Sequence, residues 1–131
     1  MQRINLTIGL LGLAAVLAAC SGTSAAPGTA SPSTGTPTGD TITVTAKDLA
    51  FGQSQITVPA DQAFTLVFDN QEGAPHNVAI YTDESASTKI SVGEIFSGPA
   101  QKSQAVPALA AGSYFFRCDV HPDMKGTITA E

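Results

Sequence analysis

Four side chains in this sequence of 131 residues are of the types that bind soft transition metals: His76, Cys118, His121 and Met124. Three of them sit in one stretch, Phe115-Phe116-Arg117-Cys118-Asp119-Val120-His121-Pro122-Asp123-Met124-Lys125-Gly126, with a thiol, an imidazole and a thioether at i, i+3 and i+6. His76 lies some forty residues upstream. Two imidazoles and a thiolate with a weakly bound thioether form the donor set of mononuclear copper sites that pass electrons. A structural zinc site takes four strong Cys or His ligands, and Met is not among them. A calcium or magnesium site needs converging oxygens, and a two-copper centre needs a second bridging thiolate. Each residue taken singly has an ordinary explanation. His76 suits a hydrogen-bonded core histidine, Met124 and Cys118 suit packing, and His121 suits a loop. Together they use every soft ligand that Asp40 to Glu131 contains.

Such ligands need stiff elements to hold them, and the pattern is β throughout. Thr41 to Thr45 alternates strictly, Gln55 to Val58 stops at Pro59, and Phe64, Leu66 and Phe68 fall on one face. Asp69 to Gly73 has turn chemistry. His76–Thr82, Ile90–Phe96, Gln101–Val106, Ser113–Cys118 and Thr127–Ala130 read as further strands. Thr82 to Thr88 is polar and fits either a loop or a helical turn. Short strands separated by turn signals predict an all-β sandwich or barrel of about seven to eight strands. Period two puts His76 with Val78 and Ile80, and Cys118 with Tyr114 and Phe116, so both ligands face the core. Pro75 fixes the approach to the first of these strands, and Gly126 is expected to release the chain after the ligand loop.

Ahead of this domain lies a different kind of sequence. Arg3 precedes an apolar run from Ile4 to Ala19, short for a membrane span and right for an export signal. The run ends Leu17-Ala18-Ala19-Cys20, which resembles a bacterial lipobox and implies cleavage before Cys20 and lipidation of its thiol. Ser21 to Gly39 holds only Ser, Thr, Gly, Pro and Ala and no charge, so it cannot pack. As a flexible coil it would span about 25 Å. The predicted organisation is a signal over 1–19, an anchor and linker over 20–39, and one domain over 40–131. If Cys20 is acylated, Cys118 is the one thiol left, and metal ligation would both use and protect it in an oxidising compartment. The predicted location is extracytoplasmic, lipid-anchored to the cell membrane.

Charge excludes one class of partner. The chain has six Lys and Arg against eleven Asp and Glu, a net charge of −5, and shows no basic stripe for nucleic acid.

Two motifs carry a family resemblance. Ala74-Pro75-His76-Asn77-Val78 and the stretch from Tyr114 to Gly126 resemble the cupredoxins, the small blue copper proteins, over roughly residues 40–131. Two residues separate Cys118 from His121 and two separate His121 from Met124. That loop is similar to the amicyanin type and shorter than the plastocyanin and pseudoazurin pattern. The resemblance implies a Greek-key β-sandwich, one copper per chain alternating between Cu(I) and Cu(II), and single-electron transfer with no enzymatic activity. It implies that His76, Cys118 and His121 hold copper in a plane, with Met124 as a long axial ligand. It further implies that Asn77 bonds across to Asp119, and that His121 reaches the surface as the electron port, rimmed by Ala74, Pro75 and Pro122. Asp119 departs from the Ser or Thr usual after the cysteine; its carboxyl either lowers the reduction potential or stays protonated and donates.

The expected partners are redox proteins (a cytochrome, oxidase or dehydrogenase), met by a monomer. Glu72, Asp119 and Asp123 either bias docking toward basic partners or form a solvated acidic surface. Copper delivery or storage is the alternative function, although such carriers often show Met- or His-rich tracts and this sequence has none. An enzyme would need an open coordination position. Glu94, the only Glu within the later strands, is the candidate for an intruding oxygen ligand there.

Overall fold

The computed structural model describes residues 39–131. The leader, Cys20 and the linker up to residue 38 lie outside the described residues. Within them the chain is all β, with no helix. The strands are β1 (Thr41–Lys47), β2 (Ala50–Phe51), β3 (Gln55–Val58), β4 (Phe64–Asn70), β5 (Pro75–His76), β6 (Ala79–Tyr81), β7 (Lys89–Val92), β8 (Phe96–Ser97), β9 (Ala100–Val106), β10 (Gly112–Arg117) and β11 (Lys125–Ala130). Three of these, β2, β5 and β8, are two residues long, and without them the number falls within the predicted seven to eight.

Two sheets and a small ribbon result. One sheet has the order β2-β1-β4-β9, the other β3-β11-β10-β6-β7, and β5 pairs with β8 alone. The chain passes repeatedly from one sheet to the other, so β1 meets β4 and β3 meets β11 in parallel, while the other six pairs among the described residues are antiparallel. Alternation explains the packing. In β4, Phe64, Leu66, Phe68 and Asn70 are buried while Thr65, Val67 and Asp69 are only partly so. Phe116, Ile128, Val44 and Leu66 are fully buried between the sheets, each contributing about 1.5–3 kcal/mol of apolar transfer. Rings of Phe116, Phe51, Phe68 and Phe96 follow one another across this core at centroid separations of 5.3, 6.1 and 5.5 Å.

Several elements differ from the sequence reading. The predicted strand His76–Thr82 is two pieces, β5 and β6, because Asn77 and Val78 leave the ladder while staying buried. Ile90–Phe96 is likewise split into β7 and β8. Residues 82–88 form turns and bends, where Asp83 accepts the N–H of Ser85 at 2.9 Å. Gly126 does not release the chain. It lies within β11 opposite Phe116, and a Cβ there would come within 2.5 Å of the Phe116 ring and of the Ser54 carbonyl oxygen. The hairpin β1–β2 turns through Asp48 and Leu49 alone, with φ values of 54° and 58°, the geometry of a type I′ turn.

Candidate metal centre

The ligand residues arrive from two directions. His76 ends β5, and its ring is fully buried. Cys118 follows β10, fully buried in the main core with Val78, Ile80 and Phe116. The loop from Cys118 to Met124 is closed by its own backbone: Met124 N–H donates to His121 O at 2.9 Å, and Cys118 N–H donates to Met124 O at 2.9 Å. These bonds bring His121 and Met124 back over Cys118. Met124 is buried in the same core cluster as Cys118, and His121 alone of the four is partly exposed.

Cys118 Sγ lies 3.7 Å from His76 Nδ1 and 3.9 Å from His121 Nδ1, and the two Nδ1 atoms are 3.0 Å apart. A point equidistant from the corners of that triangle is about 2.1 Å from each, a normal metal–nitrogen or metal–sulfur bond length. Donor types and spacing therefore fit a small thiophilic cation. Among the described residues this is the one such grouping of His, Cys, Asp and Glu, with all three atoms within 4.8 Å of one another.

Each arm has its own frame. On the His76 side, the Nε2–H of His76 donates to Glu72 Oε1 at 2.8 Å, so Nδ1 presents its lone pair to the centre. The Leu49 N–H donates to the same carboxylate oxygen at 3.0 Å. That bond is the main cause holding Glu72 below the ordinary carboxylate pKa, with the His76 contacts adding to it. Asn70, fully buried, donates to the carbonyls of Ala74 and Phe96, both at 2.9 Å, and accepts the Glu72 N–H at 3.1 Å. Gly98 packs so tightly on this turn that a Cβ there would lie 2.8 Å from the Glu72 carbonyl oxygen.

On the Cys118 side, Asn77 Oδ1 accepts the Asp119 N–H at 2.8 Å, and its amide donates to Gly93 O at 3.2 Å. The Asp119 carboxylate receives the Tyr81 hydroxyl and, more distantly, Arg117 Nε at 3.4 Å and Asn77 Nδ2 at 3.5 Å. Burial pushes the Asp119 pKa up, but the donors Tyr81, Asn77 and Arg117 together outweigh it and leave it lowered. Of the two roles open to Asp119, the ionised acceptor is the one this geometry fits. Burial, then the bond and charge of Asp119, raise the pKa of Tyr81. Glu94 does not reach the centre; it is 67% exposed and pairs with Lys102.

The sequence reading missed Glu72 as the partner of His76, and Asn70 and Tyr81 as supports. Asn70 was legible, since period two places it on the inner face with Phe64, Leu66 and Phe68. Glu72 stands four residues before His76, but that spacing has no fixed meaning outside a helix.

A family model described as "Cupredoxin-like domain" matches residues 10–130. The chain belongs to this family. This cupredoxin also resembles solved structures. Auracyanin B is 23% identical with a TM-score of 0.66, covering 74% of this chain and 91% of its own. Auracyanin A from Chloroflexus aurantiacus, described as a "blue" copper protein, is 23% identical at a TM-score of 0.62, covering 71% and 100%. Amicyanin from Paracoccus versutus is 27% identical at a TM-score of 0.54, covering 70% and 81%. No curated protein matches. Family and donor set together assign copper as the cofactor, one ion per chain, with His76, Cys118, His121 and Met124 arranged as in a type 1 site.

Proposed function

We propose that this cupredoxin carries single electrons between redox proteins, and that His76, Cys118 and His121 would hold the copper strongly with Met124 as a weaker fourth donor. The observation that carries the reading is the convergence of the two Nδ1 atoms and Sγ on one bond-length-sized point. Bound copper supplies one-electron chemistry between its +1 and +2 states. The chain's part is to keep the ligands from moving. Glu72 holds the His76 proton on Nε2, Asn77 ties the residue after Cys118 to the opposite arm, and the buried positions of His76, Cys118 and Met124 exclude water. His121 is the ligand with exposed surface, and Pro75, Pro122 and Val120 are exposed apolar residues close to the ligands in the chain. A redox partner with a matching apolar face would meet the centre there.

The same proposal includes export and tethering. Residues 1–19 act as a lipoprotein signal, Cys20 takes the lipid, residues 20–39 form the stalk, and 40–131 is the copper domain, monomeric and outside the cytoplasm. The spacing Leu17-Ala18-Ala19-Cys20 supports this.

The test is the visible and paramagnetic resonance spectrum of the Cu(II)-loaded protein. An intense blue thiolate band with narrow copper hyperfine splitting is expected, and Cys118→Ala removes the band. A pale protein with wide splitting, or a blue Cys118→Ala variant, overturns the reading.

A further inference from the structure

The turn between β1 and β2 has a cost that its own packing does not explain. Both central residues have positive φ, 54° at Asp48 and 58° at Leu49. Two-residue turns of this kind favour Asn, Asp and Gly, because a Cβ crowds the backbone in the left-handed region, so Asp48 fits its place and Leu49 is the residue under strain. Leu49 is 56% exposed, so burial of its side chain does not offset the strain. What the conformation does achieve is aim. The Leu49 N–H points at Glu72 Oε1, 3.0 Å away, and that same oxygen takes the His76 Nε2–H at 2.8 Å.

The rest of Glu72 is pinned as well. Its N–H goes to Asn70 Oδ1 at 3.1 Å and its carbonyl accepts the Gly98 N–H at 2.9 Å. The backbone of Glu72 is thus fixed by the core, and the carboxylate by the turn. His76 is fully buried and Glu72 is the protein acceptor of its Nε2–H, so without Glu72 that N–H would lose its partner, a costly arrangement that would let the ring turn or change tautomer.

We propose that the Asp48–Leu49 turn is a positioning element of the metal centre: it hands one backbone N–H to Glu72, and Glu72 sets which nitrogen of His76 faces the ligand triangle. This rests on the copper reading for its functional meaning. Its mechanical part, turn to Glu72 to His76, belongs to the protein with or without copper.

Two variants of the full chain separate the turn's N–H from its strain. Replacing Leu49 by its α-hydroxy acid turns the one N–H into an ester oxygen, and Leu49→Gly keeps the N–H while relieving the strain. The first measurement is solvent exchange of the His76 Nε2–H by nitrogen-15 resonance in metal-free protein, tractable because the chain has two histidines. The second is copper affinity by competition with a chelator.

The ester variant is expected to exchange faster and to lose about tenfold in copper affinity, the usual cost of losing support behind a ligand. Leu49→Gly is expected to match the wild type in both. A one-glycine insertion after Asp48, which surface hairpins tolerate, moves the same N–H and should repeat the ester result should the ester chain fail to fold. Exchange and affinity unchanged in the ester or insertion variant, while Glu72→Ala alters both, would overturn the proposal. Equal disturbance by Leu49→Gly would do so too. A wild-type chain that binds no copper overturns the proposed function instead, and exchange in the metal-free protein still decides the relay.

Discussion

Met124 and Cys118 are neighbours in the core but differ in what their removal should do. A thioether binds weakly and is close in volume to leucine, so Met124→Leu should keep copper and the blue colour while shifting the reduction potential. Redox titration followed in the visible band checks this, and complete loss of copper would contradict it. Tyr81 offers a test of the other arm. Its raised pKa means that the folded state holds the phenolic proton where the unfolded chain releases it. The resulting contribution to stability is present below about pH 10 and is lost as pH rises through the folded value. Urea unfolding from about pH 8 to about pH 11 should show this alkaline decline, and Tyr81→Phe should flatten it.

At the level of elements, the turn between β4 and β5 holds the His76 arm, and Asn70 organises it. Its side chain serves two carbonyls and one N–H from three separate places, Ala74, Phe96 and Glu72. Asn70→Ala strands those groups at a fully buried position, so a loss of about 2–3 kcal/mol is expected in urea unfolding of metal-free protein. The copper site should be disturbed as well, through the same turn. Destabilisation with an unaltered copper spectrum would mean that β5 and the ligand are held by the sheets alone. β10 and β11 work differently. They form a regular antiparallel pair from Gly112↔Ala130 to Arg117↔Lys125, and the ligand loop is simply their connection, short enough that two backbone hydrogen bonds shape it.

For the whole molecule, the expected division is between a folded domain and the sequence before it. A fragment beginning at Asp40 should fold, bind one copper and give the spectrum of the full chain, because the core and both frames lie within residues 40–131. The full chain should fractionate with membranes, and Cys20→Ala should release it; a wild-type chain found wholly in the soluble fraction would refute the anchor. Parallel pairing of β1 with β4 and of β3 with β11 joins segments far apart in sequence. Folding on the millisecond-to-second scale is therefore expected.

Taken alone, the sequence determined the donor set, the β pattern and which face each ligand strand turns inward. These depend on residue type and on a period of two, both local properties. Cys118 joins Val78, Ile80 and Phe116 in the core, while on the His76 side the strand is interrupted at Asn77 and Val78 and every residue from His76 to Tyr81 is buried, so alternation alone does not describe that arm. Only the tertiary structure decided what stands behind the ligands. Glu72 meets Leu49 across 23 positions and Tyr81 meets Asp119 across 38, contacts that no local period encodes. They exist because the two sheets, the β5–β8 ribbon and a left-handed turn bring the same end of the sandwich together. The buried His76 nitrogen then takes the one acceptor that this packing leaves within reach.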